Sequence, residues 1–447
     1  MSRSGIVEPA GGPLSGSVRA PGDKSISHRA VMLSSVSHGE SVIEGFLQAE
    51  DTLSTVGVFR ALGVPIEVEG SRVVVQGDGP GALRAAAEAL DCGNSGTTMR
   101  LVTGLLAGVP GFGGATLIGD ASLSRRPMGR IAEPLNDFGA RVLTDAGRPP
   151  IKVEAGDFKG GAYRSPVASA QVKSALLLAG LMAGVEVEIV ETSASRDHTE
   201  SLLRAMGVPV ASSAHYGAEV AGEARVSLPA WGGRLEGRVI EVPGDISSAA
   251  FLMVAAAIVP GSAVEVRGCG VAWTRAGVLG ALERAGVRVE RRGARVSSGG
   301  EPTADLRIAH GALRGFEIEP HQVPSLIDEI PVLAVLAGRA RGRSVFRGVG
   351  ELRVKESDRL ALTAGLLEAC GCAVETGQDW LAIQGRGEEA FERFEFDAAH
   401  DHRMAAAATV AALVAEGPCR VDGLESLSIS YPEFFNDLKS LQREEGE

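Results

Sequence analysis

Eleven basic residues of this sequence gather beside one kind of feature. Lys24, Arg29, Arg100, Arg125, Arg126, Lys173, Arg196, Arg353, Lys355, Arg359 and Arg403 lie close to the points where apolar, helix-forming stretches begin. Those entrances read Asp23-Lys24-Ser25, Asn94-Ser95-Gly96-Thr97, Ser169-Ala170-Gln171, Asp245-Ile246-Ser247-Ser248, Asp328-Glu329 and Asp401-His402-Arg403. A helix N-terminus offers unpaired N–H groups and a partial positive charge. Several such ends with cations beside them make a site for phosphate and carboxylate. Arg suits bidentate contact with either anion, and Lys a point contact. Capping is the plainer reading of Ser, Asn and Asp at these positions. It accounts for Ser247 and Ser248, but not for the cations. For any one arginine the plainer reading is a solvated helix face.

Acid–base chemistry has its own candidates: Asp328, Glu329, Glu356, Asp358, His402 and Asp51. Asp328 and Glu329 open an apolar helix, and Glu356 stands between Lys355 and Arg359. A carboxylate among cations tends to stay ionised, and serves as base or, once protonated, as acid. His28, His198 and His402 each adjoin an Arg or Asp, without metal-site spacing. A phosphate loop of the G-x-x-x-x-G-K-[ST] type, a dinucleotide G-x-G-x-x-G at a first βαβ unit and a G-x-S-x-G elbow are all missing from the sequence. The residues by themselves point to two anionic substrates, acid–base chemistry and domains that close.

The elements that must position these residues repeat. A polar turn, an apolar helix rich in small residues, a Gly-bearing turn and a strand recur six times, ending at Gly45, Gly119, Glu191, Gly268, Gly348 and Gly423. A second helix in each unit is expected to close on a C′ glycine before a strand, as in FRALGVPIEV, LNDFGARVL, LLRAMGVPV, LERAGVRVE and LLEACGCAVE; the sixth, FFNDLKSLQ, runs out at the C-terminus. A coarser echo relates LSGSVRAPGD (14–23) to LEGRVIEVPGD (235–245). It divides the chain into a first three-repeat domain, 22–242, and a second made of 1–20 plus 244–447. The N-terminal strand then completes the truncated sixth repeat, and hinges are expected near 20–22 and 242–245.

Composition sets the surroundings. The 447 residues are too many for one ordinary core, and 45% hydrophobic with 22% charged residues is globular. A net charge of -12 argues against nucleic acid and anionic membrane as partners, so any anion site must be local. Cys92, Cys269, Cys370, Cys372 and Cys419 lack metal-ligand spacing and read as reduced thiols. The opening MSRSGIVEPAGG has no apolar signal region, and no apolar run reaches a membrane span. A cytoplasmic protein without metal is expected.

At these residues the chain closely resembles the 5-enolpyruvylshikimate-3-phosphate (EPSP) synthase family, of bacterial type. The matching stretches are PGDKSISHRA (21–30), CGNSGTTMR (92–100), GDASLSRRPM (119–128), SAQVKSALLLAGL (169–181), SRDHTE (195–200), PGDISSAAF (243–251), IDEIPVLA (327–334), LRVKESDR (352–359), DHRMA (401–405) and SYPEFF (430–435). They run in family order along essentially the whole chain. The resemblance implies an α/β fold of two inside-out α/β barrels, each from three βαβαββ-type repeats. It implies transfer of the enolpyruvyl group of phosphoenolpyruvate to the 5-hydroxyl of shikimate 3-phosphate, by addition and elimination, in the shikimate pathway to chorismate and aromatic amino acids. No cofactor is implied, and a monomer is expected. Carried over by motif, shikimate 3-phosphate would meet Lys24, Ser25, Arg29, Ser169, Ala170, Gln171, Arg196, Asp328 and Lys355. Phosphoenolpyruvate would meet Lys24, Asn94, Gly96, Arg100, Arg126, Gln171, Arg359 and Arg403. Asp328, Glu356 and Lys24 would carry the chemistry.

The chain also departs from its relatives. Ala170 stands where some have Ser, Ile429 where some have Lys, and Leu101 where others have Pro. A rival reading, the enolpyruvyl transferase acting on UDP-N-acetylglucosamine, usually shows Lys-Asn at Lys24-Ser25 and a reactive Cys in the loop matching 119–128, which holds none here. A non-catalytic anion-binding protein on the same fold is the other rival. Phosphate release from phosphoenolpyruvate with shikimate 3-phosphate, with UDP-N-acetylglucosamine or with neither separates the three. Gly96 is the residue that the family associates with sensitivity to glyphosate, tolerant relatives carrying Ala. Glyphosate is therefore expected to inhibit in competition with phosphoenolpyruvate. Activity unchanged at glyphosate well above the phosphoenolpyruvate concentration would contradict this.

Overall fold

A computed structural model describes residues 4–86, 88–213 and 222–442. The chain forms two compact units. One is Gly22–Pro243 together with Val296–Glu301; the other is the chain up to Pro21, Gly244–Arg295 and the chain from Pro302 on. The sequence reading keeps 296–301 with the second unit. The structure departs from it because this hairpin tip brings Glu301 to 2.9 Å from His198 Nδ1, both side chains buried.

In the unit spanning Gly22–Pro243, each repeat closes its own four-stranded sheet. The second repeat shows the pattern in chain order: Leu90–Asp91, helix Gly96–Gly108, Ala115–Ile118, helix Gly129–Asp137, Arg141–Asp145 and Arg148–Glu154. The first strand lies parallel to the second, and the other pairings are antiparallel. Alternation explains why these are strands: Arg148–Glu154 buries every second residue against the helices. The first repeat borrows its opening strand, Val239–Glu241, from the far end of the unit, laid parallel to His38–Glu44.

The other unit is permuted in the same sense. Ser15–Arg19 lies parallel to Ala263–Gly270 and opens the fourth sheet. Ser4–Val7 pairs antiparallel with Cys419–Asp422, completing a three-stranded sixth sheet. Three helices pack on one another inside this unit: Ile246–Ile258, Ile330–Gly338 and His402–Ala412. The first two are buried at every position, as sequences such as ISSAAFLMVAAAI require. Helices inside and sheets outside is the inside-out barrel. At the chain crossings the two PGD motifs behave alike. Asp23 N–H donates to Pro243 O, and in the other unit Asp245 N–H donates to Pro21 O, both at 2.7 Å.

The five expected C′ glycines, Gly63, Gly139, Gly207, Gly286 and Gly371, all have positive φ between 81° and 95°. A Cβ would strain each one, so these glycines fix where the second helices stop. Small residues have a second use. Gly104 and Gly108 lie against the backbone of Ala175 and Ala179, where a Cβ on either glycine would collide with the facing carbonyl. The helices Gly96–Gly108 and Ala170–Ala183 therefore approach closely, which draws their N-termini together. Gly104→Val should cost about 1–3 kcal/mol by overpacking. A lower urea midpoint by circular dichroism checks this; an unchanged midpoint would mean that the helices have room.

Candidate active site

Five helices of the two units begin with a buried or half-buried polar cap that accepts a backbone N–H. Asp23 caps Lys24–Ser35, Ser95 caps Gly96–Gly108, Asp245 caps Ile246–Ile258, Asp358 caps Arg359–Ala369 and Asp401 caps His402–Ala412. Capping fixes the first turn, and several of the candidate side chains project from it.

In the unit spanning Gly22–Pro243, Lys24 pairs with Asp51. Arg29 is nearly buried and donates from all three nitrogens, to Thr199 Oγ1 (2.6 Å), Ser25 O (2.9 Å) and Ser174 Oγ (2.9 Å). A guanidinium has five N–H groups, so two remain. Burial pulls the Arg29 pKa down to about 10, with Glu200 and Asp23 opposing the fall, which leaves it a cation at neutral pH. Asn94, Gly96, Arg100, Arg126 and Gln171 form one lattice. Arg126 donates to Asn94 Oδ1 (2.5 Å), Asn94 to Asp120 Oδ2 (2.7 Å), Arg100 to Gln171 Oε1 (2.6 Å), and Gln171 to Thr97 Oγ1 (3.1 Å). A Cβ at Gly96 would come within 2.9 Å of Arg100 Nη1 and 3.3 Å of Arg126 Nη1, so both guanidinium groups lean over the bare helix end. Ser169 accepts from Arg130 at 3.4 Å and its N–H donates to Glu191 at 2.9 Å. Ala170 and Arg196 are half-buried nearby in the chain.

Two cations singled out in the sequence have other employment. Lys173 is buried, with its ammonium 2.8 Å from Glu200 and 3.1 Å from Glu191. Burial works against its charge, but the two carboxylates outweigh burial and raise its pKa. Arg353 donates to Gln378 O and Gly377 O and pairs with Asp358 at 3.0 Å, holding its own loop. Both are structural ion pairs. His28 is buried against Thr55 Oγ1 (2.6 Å), and burial with Lys24 and Arg29 nearby holds its pKa well below the usual value, so it is neutral.

In the other unit a single guanidinium organises the candidate acid–base groups. Arg359 is buried, bidentate to Asp401 (2.8 and 3.2 Å), 2.6 Å from Glu356 Oε2 and 3.4 Å from Asp328 Oδ1. Burial opposes its charge, and Glu356 and Asp401 more than offset burial, so its pKa is raised. Lys355 stands 3.8 Å from Asp328, and Arg403 donates to Asp328 O at 3.1 Å. The structure thus brings Asp328, Lys355, Glu356, Arg359 and Arg403 together. It also adds a residue that the sequence reading passed over. Arg275 is buried, 2.9 Å from Glu329 Oε1, 3.4 Å from Asp245 Oδ1, and donates to Ser247 Oγ. The entrance at Asp245, read from sequence as simple capping, belongs to this network. An arginine in the short turn AWTRAG before an apolar helix is the only trace of it in the sequence. Among the described residues, no group of three or more His, Cys, Asp or Glu could hold a metal.

Buried helices, flanking sheets and cation-lined helix ends define an enolpyruvyl-transferase class of fold. An enolpyruvyl transferase, NikO from Streptomyces tendae, shares that fold at TM-score 0.74 and 18% identity, covering 99% of this chain and 98% of that one. A solved EPSP synthase from Acinetobacter baumannii matches at TM-score 0.87 and 39% identity, over 99% of this chain and 98% of that one. A family model described as EPSP synthase (3-phosphoshikimate 1-carboxyvinyltransferase) matches residues 9–438. Curated relatives bearing the name 3-phosphoshikimate 1-carboxyvinyltransferase include one from Synechococcus sp. (strain RCC307), 46% identical over 97% of this chain and 98% of its own length. Another, from Desulforudis audaxviator, is 47% identical over 98% and 99%. The chain belongs to the EPSP synthase family.

The buried pair His198–Glu301 gives the site's unit a pH dependence. Burial lowers the His198 pKa, but Glu301 outweighs it and the net shift is upward from 6.5. A group raised in the folded state adds stability that is complete below its free pKa and lost as pH climbs through the folded value. Glu301→Gln should therefore lower Tm most below the free imidazole pKa of 6.5, with the gap to the parent closing as pH climbs above it. A gap constant with pH would refute the pairing.

Proposed function

We propose that this chain transfers the enolpyruvyl group of phosphoenolpyruvate to the 5-hydroxyl of shikimate 3-phosphate. The match to the EPSP synthase family over residues 9–438 carries the reaction. The cluster at Arg359 supports the roles. The attacking hydroxyl gives its proton to Asp328 as its oxygen bonds to C2 of phosphoenolpyruvate. Glu356 delivers a proton to the methylene carbon, C3. In the elimination that follows, C3 returns a proton to Glu356 as the C2–O bond to phosphate breaks, and Lys24 neutralises the leaving phosphate. No metal or cofactor enters this proposal.

Binding follows charge. Shikimate 3-phosphate is assigned Lys24, Ser25, Arg29, Ser169, Ala170, Gln171, Arg196, Asp328 and Lys355. Phosphoenolpyruvate is assigned Lys24, Asn94, Gly96, Arg100, Arg126, Gln171, Arg359 and Arg403. The bare Gly96 end beneath Arg100 and Arg126 supports an anion there. Glyphosate, an anion competing for the same groups, is assigned to them too. Flexing near 20–22 and 242–245, a monomer in solution and a cytoplasmic location complete the proposal. Among the described residues no helix is long and apolar enough to cross a membrane.

Asp328→Ala and Glu356→Gln should each lower kcat by about 10²- to 10⁴-fold, the range that general acid–base groups supply. Phosphate release measures it, with substrate binding followed by calorimetry. Near-full turnover in both variants with binding intact would remove the assigned roles.

A further inference from the structure

The network at Arg275 has no part in the chemistry above, yet it comes within 3.7 Å of Arg403, which is assigned to phosphoenolpyruvate. Glu329 is buried completely, and its Oε1 faces three groups: Arg275 Nη1 at 2.9 Å, the Ser247 hydroxyl, and Arg403 Nη1 at 3.7 Å. The first two are hydrogen bonds. The third is too long for one, so Arg403 feels the charge of Glu329 without being bound to it. Instead Arg403 spends one N–H on the carbonyl of Asp328 at 3.1 Å. Arg275 also reaches Asp245 Oδ1 at 3.4 Å. Two buried carboxylates, Asp245 and Glu329, thus face two cations, Arg275 and Arg403, and Arg275 makes all the close contacts.

We propose that Arg275 is a positioning residue for substrate binding: by neutralising Glu329 it keeps the Arg403 guanidinium from closing on Glu329, so that Arg403 can turn its charge to the carboxylate or phosphate of phosphoenolpyruvate. Without Arg275 the nearest cation to the buried Glu329 is Arg403. A buried carboxylate stripped of its partner draws strongly on whatever cation remains. Arg403 would close the 3.7 Å gap, bind Glu329 and be withdrawn from the substrate. Arg275 would act through Arg403 and touch no substrate itself. The inference rests on the assignment of Arg403 to phosphoenolpyruvate made above.

Steady-state kinetics on five full-length variants test it. Arg275→Met should raise KM for phosphoenolpyruvate by about tenfold or more while KM for shikimate 3-phosphate stays within about twofold, since only one substrate's contact is lost. The double variant Arg275→Met/Glu329→Gln removes the stranded charge and should recover most of that loss. Arg275→Lys keeps the charge and should fall between the parent and Arg275→Met. Arg403→Ala should raise KM for phosphoenolpyruvate in the parent, and adding Arg275→Met to it should bring no further rise. A merely structural role predicts something else: both KM values, or neither, would move with Tm, and the double variant would fare no better than the single one. That pattern overturns the inference while leaving Arg403 in place. If Arg275→Met does not fold, the double variant and Arg275→Lys still decide, because a KM for phosphoenolpyruvate near the parent's in the double variant supports the inference, and both KM values rising together in either variant overturns it. If Arg403→Ala leaves KM for phosphoenolpyruvate unchanged, the binding assignment fails first and this inference with it.

Discussion

A cation buried without a partner destabilises a fold by several kcal/mol, and this chain buries several. Arg29 is satisfied by hydroxyls and a carbonyl, but three others are matched by carboxylates that helix N-termini or a strand end supply. Arg359 lies between the two oxygens of Asp401, Lys173 between Glu191 and Glu200, and Arg275 between Asp245 and Glu329. Two of these carboxylates, Asp245 and Asp401, also cap helices. One side chain therefore fixes a helix's first turn and orients a cation beside it. The polar side chains beside these pairs inherit their directions from them, and the dense ionic lattice limits how far any one can stray.

Packing determines where those helix ends fall. Gly104 and Gly108 let their helix lie on the backbone of Ala175 and Ala179, and this closeness brings the Gly96 and Gln171 ends within reach of the Arg100–Gln171 hydrogen bond. In the other unit, helices of Ala, Val and Leu fill the interior with little side-chain bulk. Small residues thus trade buried area per residue for short distances between helix axes, and polar groups at the ends benefit from it.

Much of this was legible in the sequence, for physical reasons. Gly63, Gly139, Gly207, Gly286 and Gly371 each sit where a helix must stop in a backbone region that other residues avoid, so the repeats could be counted from them. The helix entrances could be placed because caps and apolar runs are local patterns. Partner choice was not local. Nothing near Lys173 in the sequence says that Glu191 and Glu200 fold over it, and nothing near Arg353 announces the carbonyls of Gly377 and Gln378. Arg275 escaped notice for the same reason, since its partners lie 30 and 54 residues away. The hairpin tip that sends Glu301 to His198 has no sequence signal at all.

The strand Ser4–Val7 has a consequence for how this chain is made. It completes a sheet with Cys419–Asp422, so it must wait for a strand that is made long after it. Throughout that interval the Gly22–Pro243 segment can already close, because it borrows Val239–Glu241 from its own far end. Synthesis therefore has an order: one half matures early around its own helices, while the other holds an unmated strand until Cys419–Asp422 emerges. Slow elongation late in the chain prolongs the exposure of that lone edge, and it is there that a chaperone would find its longest-lived target.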